Sequence, residues 1–195
     1  MKIVCATHNP GKLRELRGAL AEHGVTLVAQ SELAISEAVE DGLTFIENAL
    51  IKARHAARAS GLPALADDSG LEVDALEGRP GIHSARFAGP AAQDADNRAA
   101  LLRALAGVPE IDRGARFYCV LVFLRHPDDP RPLIADGVWE GRILTQETGD
   151  KGFGYDPLFF VPECGRSAAE LPAEDKQRLS HRGRALRKLG ELFRS

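Results

Sequence analysis

The first thirty residues constrain the fold most, because their pattern alternates in the order strand, helix, strand. Residues 1–6 are nearly all apolar and predict a short buried strand. Residues 12–23 predict a helix, since leucines recur there at helical spacing, and residues 25–29 predict a second strand. This opening favours a parallel pair of strands and an α/β fold.

The rest of the chain continues to mix helices and strands. Residues 115–125 and 133–144 predict two long strands, which the turn Pro127-Asp128-Asp129-Pro130 joins as an antiparallel pair. We therefore expect one α/β domain over residues 1–195, with a mixed central sheet flanked by helices and with two lobes around a cleft. The other predicted elements are helices at 44–60 and 94–106, a strand at 158–161 and a final helix from about Ser180.

Composition and charge are those of a globular protein. Hydrophobic residues make up 44% of the chain and charged residues 27%, values that argue against disorder. The net charge of −3 gives no reason to expect nucleic acid as a partner, so any phosphate recognition must come from a few placed cations. No apolar run approaches the roughly 20 residues that span a bilayer, and no signal peptide is recognised, so we expect no membrane partner.

The cysteines indicate the compartment. Cys5, Cys119 and Cys164 are odd in number, far apart in the sequence and without a Cys-x-x-Cys pair. This pattern argues against a disulfide framework or a zinc site and suits a reduced cytosol. We therefore expect a cytoplasmic protein.

Two adjacent acids, Asp67 and Asp68, follow the uncharged segment 62–66, where we expect a strand to end. The Ser69-Gly70 pair after them favours a turn. Two carboxylates held at a strand end suit a hard divalent cation, or a base that orients water. The residues alone also fit an ordinary acidic turn, since Asp, Ser and Gly are common turn formers.

The loop Thr7-His8-Asn9-Pro10-Gly11-Lys12 lies between the first strand and the first helix. A helix N-terminus at such a place favours an anion. Thr7 and Asn9 can hydrogen-bond phosphate oxygens and Lys12 adds a positive charge, although the Walker pattern is absent. An ordinary βα turn with a helix cap explains the same residues, so both interpretations stay open.

A third group of candidates surrounds the start of the second helix. Thr44-Phe45-Ile46-Glu47 predicts a capping box, with Glu40 just before it. Asn48 and Lys52 share a face of that helix, so Lys52 can reach a site at its beginning. Glu40 together with Asp67-Asp68 would offer three carboxylates to one metal, of which Mg²⁺ typically takes one or two. A solvated Lys52 on a surface helix is the simpler alternative.

Residues 149–157 form a glycine-rich segment that contains Phe153 and Tyr155. Glycines let the backbone approach a planar ligand, and Phe153 can stack on a base. A turn that inserts aromatic side chains into the core explains the segment equally well.

Lys176 and the tripeptide Ser180-His181-Arg182 lie close to the last helix. Lysine and arginine only donate hydrogen bonds, so they favour carbonyl acceptors on a ring over an amino group. A helix N-cap explains Ser180 but leaves His181-Arg182 without a role.

Six motifs occur in order, at compatible spacing, between about residue 1 and residue 190. They are Thr7-His8-Asn9-x-x-Lys12, Glu40-x-Gly42-x-Thr44-Phe45-x-x-Asn48-Ala49-x-x-Lys52-Ala53, Ala66-Asp67-Asp68-Ser69-Gly70-Leu71, Pro80-Gly81-x-x-Ser84-Ala85-Arg86, Gly152-Phe153-Gly154-Tyr155-Asp156-Pro157 and Ser180-His181-Arg182. Together they resemble the inosine/xanthosine triphosphate pyrophosphatase family. Each motif alone is weak, whereas six in register are specific.

The resemblance implies an enzyme that hydrolyses ITP, dITP and XTP to the monophosphate and pyrophosphate. It also implies Mg²⁺ as cofactor, and a homodimer of elongated α/β fold. Asp68 would act as the base on the attacking water and help to hold the metal, with Glu40 and Asp67 completing the acidic metal site.

The resemblance also implies the residues that hold the substrate. His8 occupies a position where the family also has glycine, so it receives no catalytic role. The residues on the phosphate side would be Thr7, His8, Asn9, Pro10, Gly11, Lys12, Lys52 and Ser69. Those on the base side would be Phe153, which stacks on the base, with Gly154, Tyr155, Asp156, Lys176, His181 and Arg182.

Two alternatives stay open. One is a Maf-type pyrophosphatase that acts on pyrimidine or modified nucleotides, against which the Phe153 loop and Ser180-His181-Arg182 argue. The other is a nucleotide-binding module without turnover. The acids Glu40, Asp67 and Asp68 disfavour it, because a pure binder gains little from acids beside a triphosphate.

Overall fold

The computed structural model describes residues 1–21 and 24–193. None of the helices in these ranges is long and apolar enough to cross a membrane. The helices are α1 (Pro10–Ala21), α2 (Phe45–Ser60), α3 (Asp94–Ala104), α4 (Ala173–Leu179) and α5 (His181–Leu192). The strands are β1 (Lys2–Ala6), β2 (Thr26–Ala29), β3 (Ala64–Val73), β4 (Gly114–Leu124), β5 (Leu133–Ile143), β6 (Phe159–Val161) and β7 (Arg166–Ser167).

The strands form one mixed sheet in the order β2-β1-β3-β4-β5-β6-β7. β1 pairs in parallel with β2, where Val4 faces Val28, and with β3, where Val4 faces Ala64. β6 pairs antiparallel with both β5 and β7. The predicted mixed α/β fold and the parallel opening pair are therefore confirmed.

Most of the predicted elements are present, with small shifts at their ends. The helix expected at 12–23 begins at Pro10 and is described as far as Ala21, and residue 23 lies outside the described residues. The sequence did not predict the short elements α4 and β7.

The strand end expected at Asp67-Asp68 is wrong. β3 runs without a break from Ala64 to Val73 and carries both acids in its middle. Turn-forming residues stay extended here because each carboxylate is paired with a cation, so tertiary contacts override local propensity.

The capping box at α2 is confirmed. Thr44 Oγ1 accepts a hydrogen bond from the Glu47 N–H at 3.3 Å, and the Glu47 carboxylate accepts one from the Thr44 N–H at 2.8 Å. Gly61 ends the helix with a φ of +67°, a conformation that glycine adopts at little cost. The capping box and Gly61 therefore define where α2 begins and ends.

The described chain divides into two compact units. The first comprises the described residues of Met1–Asp68, Cys119–Gly137 and Arg182–Ser195. Its core is built from apolar side chains of β1, α1, β3, β4 and α5, such as Ile3, Leu16, Leu65, Leu121 and Leu189. This unit contains both the first and the last of the described residues, Met1 and Phe193.

The second unit comprises Ser69–Tyr118 and Val138–His181. Its core contains Leu71, Leu101, Trp139 and Phe159. Phe117 packs against Phe159 with ring centroids 4.6 Å apart. The strands β3, β4 and β5 each contribute residues to both units. One part of each strand belongs to the core of the first unit, and the other part belongs to the core of the second.

The turn between β4 and β5 is held by one buried carboxylate. Asp129 accepts hydrogen bonds from the backbone N–H groups of Arg125 and Arg131, both at 3.0 Å, and from Arg125 Nε at 2.8 Å. The guanidinium of Arg125 lowers the pKa of Asp129. Asp129 thus stabilises the turn in its ionised form.

We predict that Asp129→Ala lowers the free energy of unfolding by about 1–3 kcal/mol at pH 7, because several donors lose their acceptor. Urea unfolding measures this difference. Since the pKa is depressed in the folded state, the stabilisation is present above the unfolded value near 4 and declines as the pH falls below it. The neighbouring Asp128, which is exposed and pairs with Arg58 at 3.3 Å, is the control. Equal losses for Asp129→Ala and Asp128→Ala would contradict the prediction.

Candidate active site

Two neighbouring acids of β3 lie at the centre of the first unit's polar cluster. Successive side chains of a strand point to opposite faces, so Asp67 and Asp68 meet different helices. Asp67 Oδ1 lies 2.6 Å from Lys12 Nζ of α1, and Asp67 Oδ2 lies 2.7 Å from Arg182 Nε of α5. Asp68 Oδ1 instead lies 2.6 Å from Lys52 Nζ of α2.

Asp67 is a fully buried and fully engaged carboxylate. Burial alone would raise its pKa, but the charges of Arg182 and Lys12 outweigh burial and hold the pKa well below the usual range. Cys119 donates its Sγ–H to Asp67 Oδ2 at 3.2 Å. Burial, with the nearby Asp67 charge, raises the pKa of this thiol, so it stays protonated and serves as a donor. Asp67 is thus a permanent anion that fixes two cations.

Arg182 continues this chain of charges. Its Nη1 lies 2.5 Å from Glu15 Oε2, so one guanidinium bridges an acid of α1 and an acid of β3. The side chain is 3% exposed. The sequence assigned Arg182 to the base edge. In the structure these contacts direct its charge to Asp67 and Glu15 within the first unit, and its role at the base edge stays a prediction.

Asp68 has a different environment from its neighbour. Its Oδ2 is buried and has no hydrogen-bond partner within the described part of the chain. Burial raises the pKa of Asp68 and outweighs the opposing charges of Lys52 and Lys12. A buried acid that has a raised pKa and one carboxylate oxygen without a hydrogen-bond partner among the described residues is suited to accept a proton or to bind a cation.

Lys52 links Asp68 to Glu40. Its Nζ lies 3.5 Å from Glu40 Oε2, and the side chain is 13% exposed, so it is not the solvated surface lysine of the simpler alternative. Burial lowers the pKa of Lys52, but the charges of Asp68 and Glu40 more than compensate, and the net shift is upward. Lys52 is therefore a fixed positive charge.

The loop that carries Glu40 is fastened to α2 by Asn48. The Asn48 Oδ1 accepts a hydrogen bond from the Gly42 N–H at 2.9 Å. A Cβ at Gly42 would lie 2.7 Å from Glu47 Cβ and 2.8 Å from Asn48 Oδ1, so this close approach requires glycine. Sequence analysis placed Asn48 beside Lys52 but missed this role in fixing the Glu40 loop.

The three acids expected to bind metal do not form one cluster. In the part of the chain that the structure describes, no group of three or more His, Cys, Asp or Glu side chains is arranged to hold a metal ion. The reason is that cations lie among these acids: two of them hold Asp67, and Lys52 contacts both Glu40 and Asp68. The assignment of Glu40, Asp67 and Asp68 to a metal therefore stays a prediction.

The predicted phosphate loop forms the entry to α1. Asn9 caps the helix, since its Oδ1 accepts a hydrogen bond from the Lys12 N–H at 3.0 Å. Thr7 Oγ1 accepts one from the Asn9 N–H at 3.2 Å. Pro10 and Gly11 occupy the first two positions of the helix. The loop therefore has the cap of the ordinary βα turn, and it also directs Lys12 to Asp67.

His8 and Ser69 complete the predicted phosphate side. His8 Nδ1 lies 2.6 Å from Gln30 Nε2 and 3.0 Å from Glu37 Oε1, so the ring is held by polar groups of the first unit. Ser69 follows Asp68 in β3, is half-buried and belongs to the second unit.

The glycine-rich segment is organised around Asp156 in the second unit. Its Oδ2 accepts a hydrogen bond from the Phe153 N–H at 2.8 Å and lies 2.5 Å from Lys176 Nζ. Lys176 Nζ also lies 4.7 Å from the centroid of the Phe153 ring, a cation–π distance. Gly152, at φ +80°, leaves no room for a Cβ beside the Asp156 carboxylate. The half-buried Phe153 is thus held with a cation over its ring.

Tyr155 and His181 are built into the second unit's interior. Tyr155 donates its hydroxyl hydrogen to the Ser84 carbonyl at 2.8 Å, and burial raises its pKa, so the hydroxyl remains a donor. The His181 ring stacks on Phe117 with centroids 4.8 Å apart and an interplanar angle of 13°. Ser84, which belongs to a matched motif, received no role from the sequence. Its carbonyl oxygen now explains how Tyr155 is placed.

Comparison with known proteins gives consistent results. A family model described as the Ham1 family matches residues 3–192. The chain is 61% identical to a dITP/XTP pyrophosphatase of Vibrio vulnificus over 193 residues, covering 99% of this chain and 96% of that protein. It is 60% identical to a protein of the same name from Methylococcus capsulatus over 194 residues, covering 100% and 96%. A solved HAM1 protein from Coxiella burnetii matches with a TM-score of 0.91 at 46% identity, covering 99% of this chain and 98% of that one.

We predict that Arg182→Met lowers the free energy of unfolding by about 3–5 kcal/mol, because it removes one partner of a buried ion pair. Denaturant titration measures this loss. Arg58→Met is the matched control, since Arg58 forms an exposed ion pair and its removal should cost about 1 kcal/mol or less. A cost for Arg182→Met no larger than that of the control would show that the buried cluster does not stabilise the fold.

Proposed function

Because the chain belongs to the Ham1 family, we propose that it hydrolyses ITP, dITP and XTP to the nucleoside monophosphate and pyrophosphate. Its relatives are named as pyrophosphatases of dITP and XTP. The reaction removes these nucleotides from the triphosphate pool.

The observation that carries the proposal within this chain is the environment of Asp68. A buried carboxylate with a raised pKa and an unoccupied oxygen is suited to take a proton from the attacking water. The water then attacks the α-phosphorus, the bond to the bridging oxygen breaks, and pyrophosphate leaves. The products are therefore a nucleoside monophosphate and pyrophosphate, because the α-phosphate stays with the nucleoside.

Lys12 and Lys52 provide the charge that this reaction needs. Phosphoryl transfer depends mainly on positioning and on stabilising negative charge. Asp67 fixes Lys12, while Glu40 and Asp68 fix Lys52, so both ammonium groups are held in place before substrate arrives. Two such cations would let a protein with net charge −3 recognise a triphosphate, which supports the proposal.

We assign base recognition to the second unit. Phe153 stacks on the purine, and Lys176 donates to its edge, with His181 as a further base-side residue. Donors suit a 6-oxo purine, and a site that hydrogen-bonds a keto group can reject an analogue that lacks it by a large factor. The partly exposed ring of Phe153 and the Lys176 ammonium above it support this assignment.

Mg²⁺ is the cofactor we propose, held by Asp68 and Glu40. Asp68 fits this task because its Oδ2 is buried without a partner among the described residues, and carboxylate oxygen is the ligand that Mg²⁺ prefers. Asp67 fits it less well, because both of its oxygens already accept from cations. When bound, Mg²⁺ would neutralise phosphate charge beside the two lysines.

Several finer expectations remain predictions. These are the homodimer, the cytoplasmic location, the absence of nucleic-acid and membrane partners, and the treatment of residues 1–195 as one functional domain. The Maf-type alternative is disfavoured by the names of the relatives, and the binding-module alternative by the environment of Asp68.

The decisive experiment is product analysis with a panel of nucleoside triphosphates and Mg²⁺. We expect dITP, ITP and XTP to yield monophosphate and pyrophosphate, while ATP, GTP, dTTP and UTP react slowly. Asp68→Asn should lose at least about 100-fold in turnover, because general-base catalysis typically contributes that much, and should keep its fold by circular dichroism. Preference for pyrimidines, release of orthophosphate, or an active Asp68→Asn variant would each overturn the proposal.

Metal dependence is tested separately. We predict that excess chelator abolishes turnover of dITP and that added Mg²⁺ restores it, because the substrate's phosphate charge is then neutralised. Glu40→Gln should need a higher Mg²⁺ concentration for half-maximal activity, whereas Asp41→Asn, its exposed neighbour, should not. Full activity in chelator would remove the metal from the mechanism.

A further inference from the structure

Helix α3 holds the glycine-rich segment by both backbone groups of one residue. Asp94 Oδ2 accepts a hydrogen bond from the Gly154 N–H at 2.7 Å. Arg98 Nη1 donates one to the Gly154 carbonyl at 3.0 Å. Asp94 and Arg98 are four residues apart and therefore share a face of the helix. No motif in the sequence pointed to either residue.

Gly154 needs such partners because of its conformation. At φ +61° it lies in the left-handed region, outside regular structure, where side chains or water must satisfy its backbone groups. The donor Arg98 is itself fixed, since its Nε lies 2.9 Å from Glu147 Oε1 and its side chain is 16% exposed. Arg98 therefore donates to Gly154 from a side chain that Glu147 already holds in place. We call Asp94 and Arg98 together the clamp.

The same helix fastens a second loop that supports Tyr155. Asn97 Oδ1 accepts a hydrogen bond from the Ala88 N–H at 2.8 Å, and Asn97 Nδ2 donates to the Ala85 carbonyl at 3.1 Å. The carbonyl oxygen of Ser84, the residue just before Ala85, accepts a hydrogen bond from the Tyr155 hydroxyl. Both neighbours of Gly154 are thus tied down: Tyr155 through the Ser84 loop, and Phe153 through Asp156.

We propose that Asp94 and Arg98 are positioning residues for nucleobase recognition, acting by fixing the Phe153–Tyr155 segment. This inference rests on the proposed function, in which Phe153 stacks on the purine. Stacking requires a ring held in one place, because each degree of freedom lost on binding weakens affinity. The clamp removes that freedom before the nucleotide arrives.

The test measures binding of dIMP, which carries the base, and of inorganic tripolyphosphate, which does not, by calorimetry. Asp94→Ala and Arg98→Ala should each weaken dIMP binding about fivefold to tenfold, the range expected for one hydrogen bond. Binding of tripolyphosphate should be unchanged. Asp94→Asn keeps an acceptor for the Gly154 N–H and should restore most of the dIMP affinity.

Asp96→Ala is the matched control for helix stability. Asp96 lies in the same first turn, where it accepts a hydrogen bond from the Gln93 N–H at 2.9 Å and caps α3. Its loss weakens the helix start without removing the Gly154 contacts. We expect the melting temperature to fall in Asp96→Ala as in Asp94→Ala, with dIMP affinity retained in Asp96→Ala.

Each outcome decides the inference. Unchanged dIMP affinity in Asp94→Ala and Arg98→Ala would overturn it, as would equal losses for dIMP and tripolyphosphate, or an equal loss in Asp96→Ala. Failure of the proposed activity is distinguishable, because it shows in the wild-type protein as absent turnover of dITP. Selective loss of dIMP binding in the clamp variants would support the positioning role even then.

Discussion

The buried charge of Asp67 is the constraint on which the first unit depends. A carboxylate cannot be removed from water unless cations and hydrogen bonds replace the solvent. Here Lys12 comes from α1, Arg182 from α5 and the thiol of Cys119 from β4, so satisfying one acid fixes three elements against β3. Arg182 also pairs with Glu15, so α1 is linked to this cluster by a second ion pair. The elements of this unit are thus held in register by a polar group within an apolar core.

The adjacent acids of β3 show how environment divides one residue type between two tasks. Cations outweigh burial at Asp67 and lower its pKa, whereas burial outweighs cations at Asp68 and raises it. Pairs of acids whose pKa values are pushed apart are a recurring basis for acid–base catalysis. A permanent anion that fixes Lys12 and an acid with a raised pKa that faces Lys52 can therefore occupy consecutive positions, because strand alternation separates them.

Sequence reasoning succeeded where the signal was local. The periodicity around α1 predicted the opening strands and helix, and Thr44 with Glu47 predicted the start of α2. It failed for β3, since turn propensity at Asp67-Asp68 says nothing about the distant cations that keep the strand extended. It also missed Glu15, whose partner Arg182 lies 167 positions away. Such pairings exist only once the chain has folded, so periodicity, capping and turn signals cannot reveal them.

The position of Asp156 resolves a difficulty in the base-side assignment. A carboxylate placed opposite the keto oxygen of a 6-oxo purine would face the lone pairs of that oxygen and repel it. In the structure the Asp156 Oδ2 is already engaged by the Phe153 N–H and the Lys176 ammonium. Lysine only donates hydrogen bonds, and Lys176 donates to Asp156 from above the Phe153 ring. Asp156 therefore orients the lysine and the aromatic ring, and in the proposed base site it acts through these two residues rather than by facing a keto group itself.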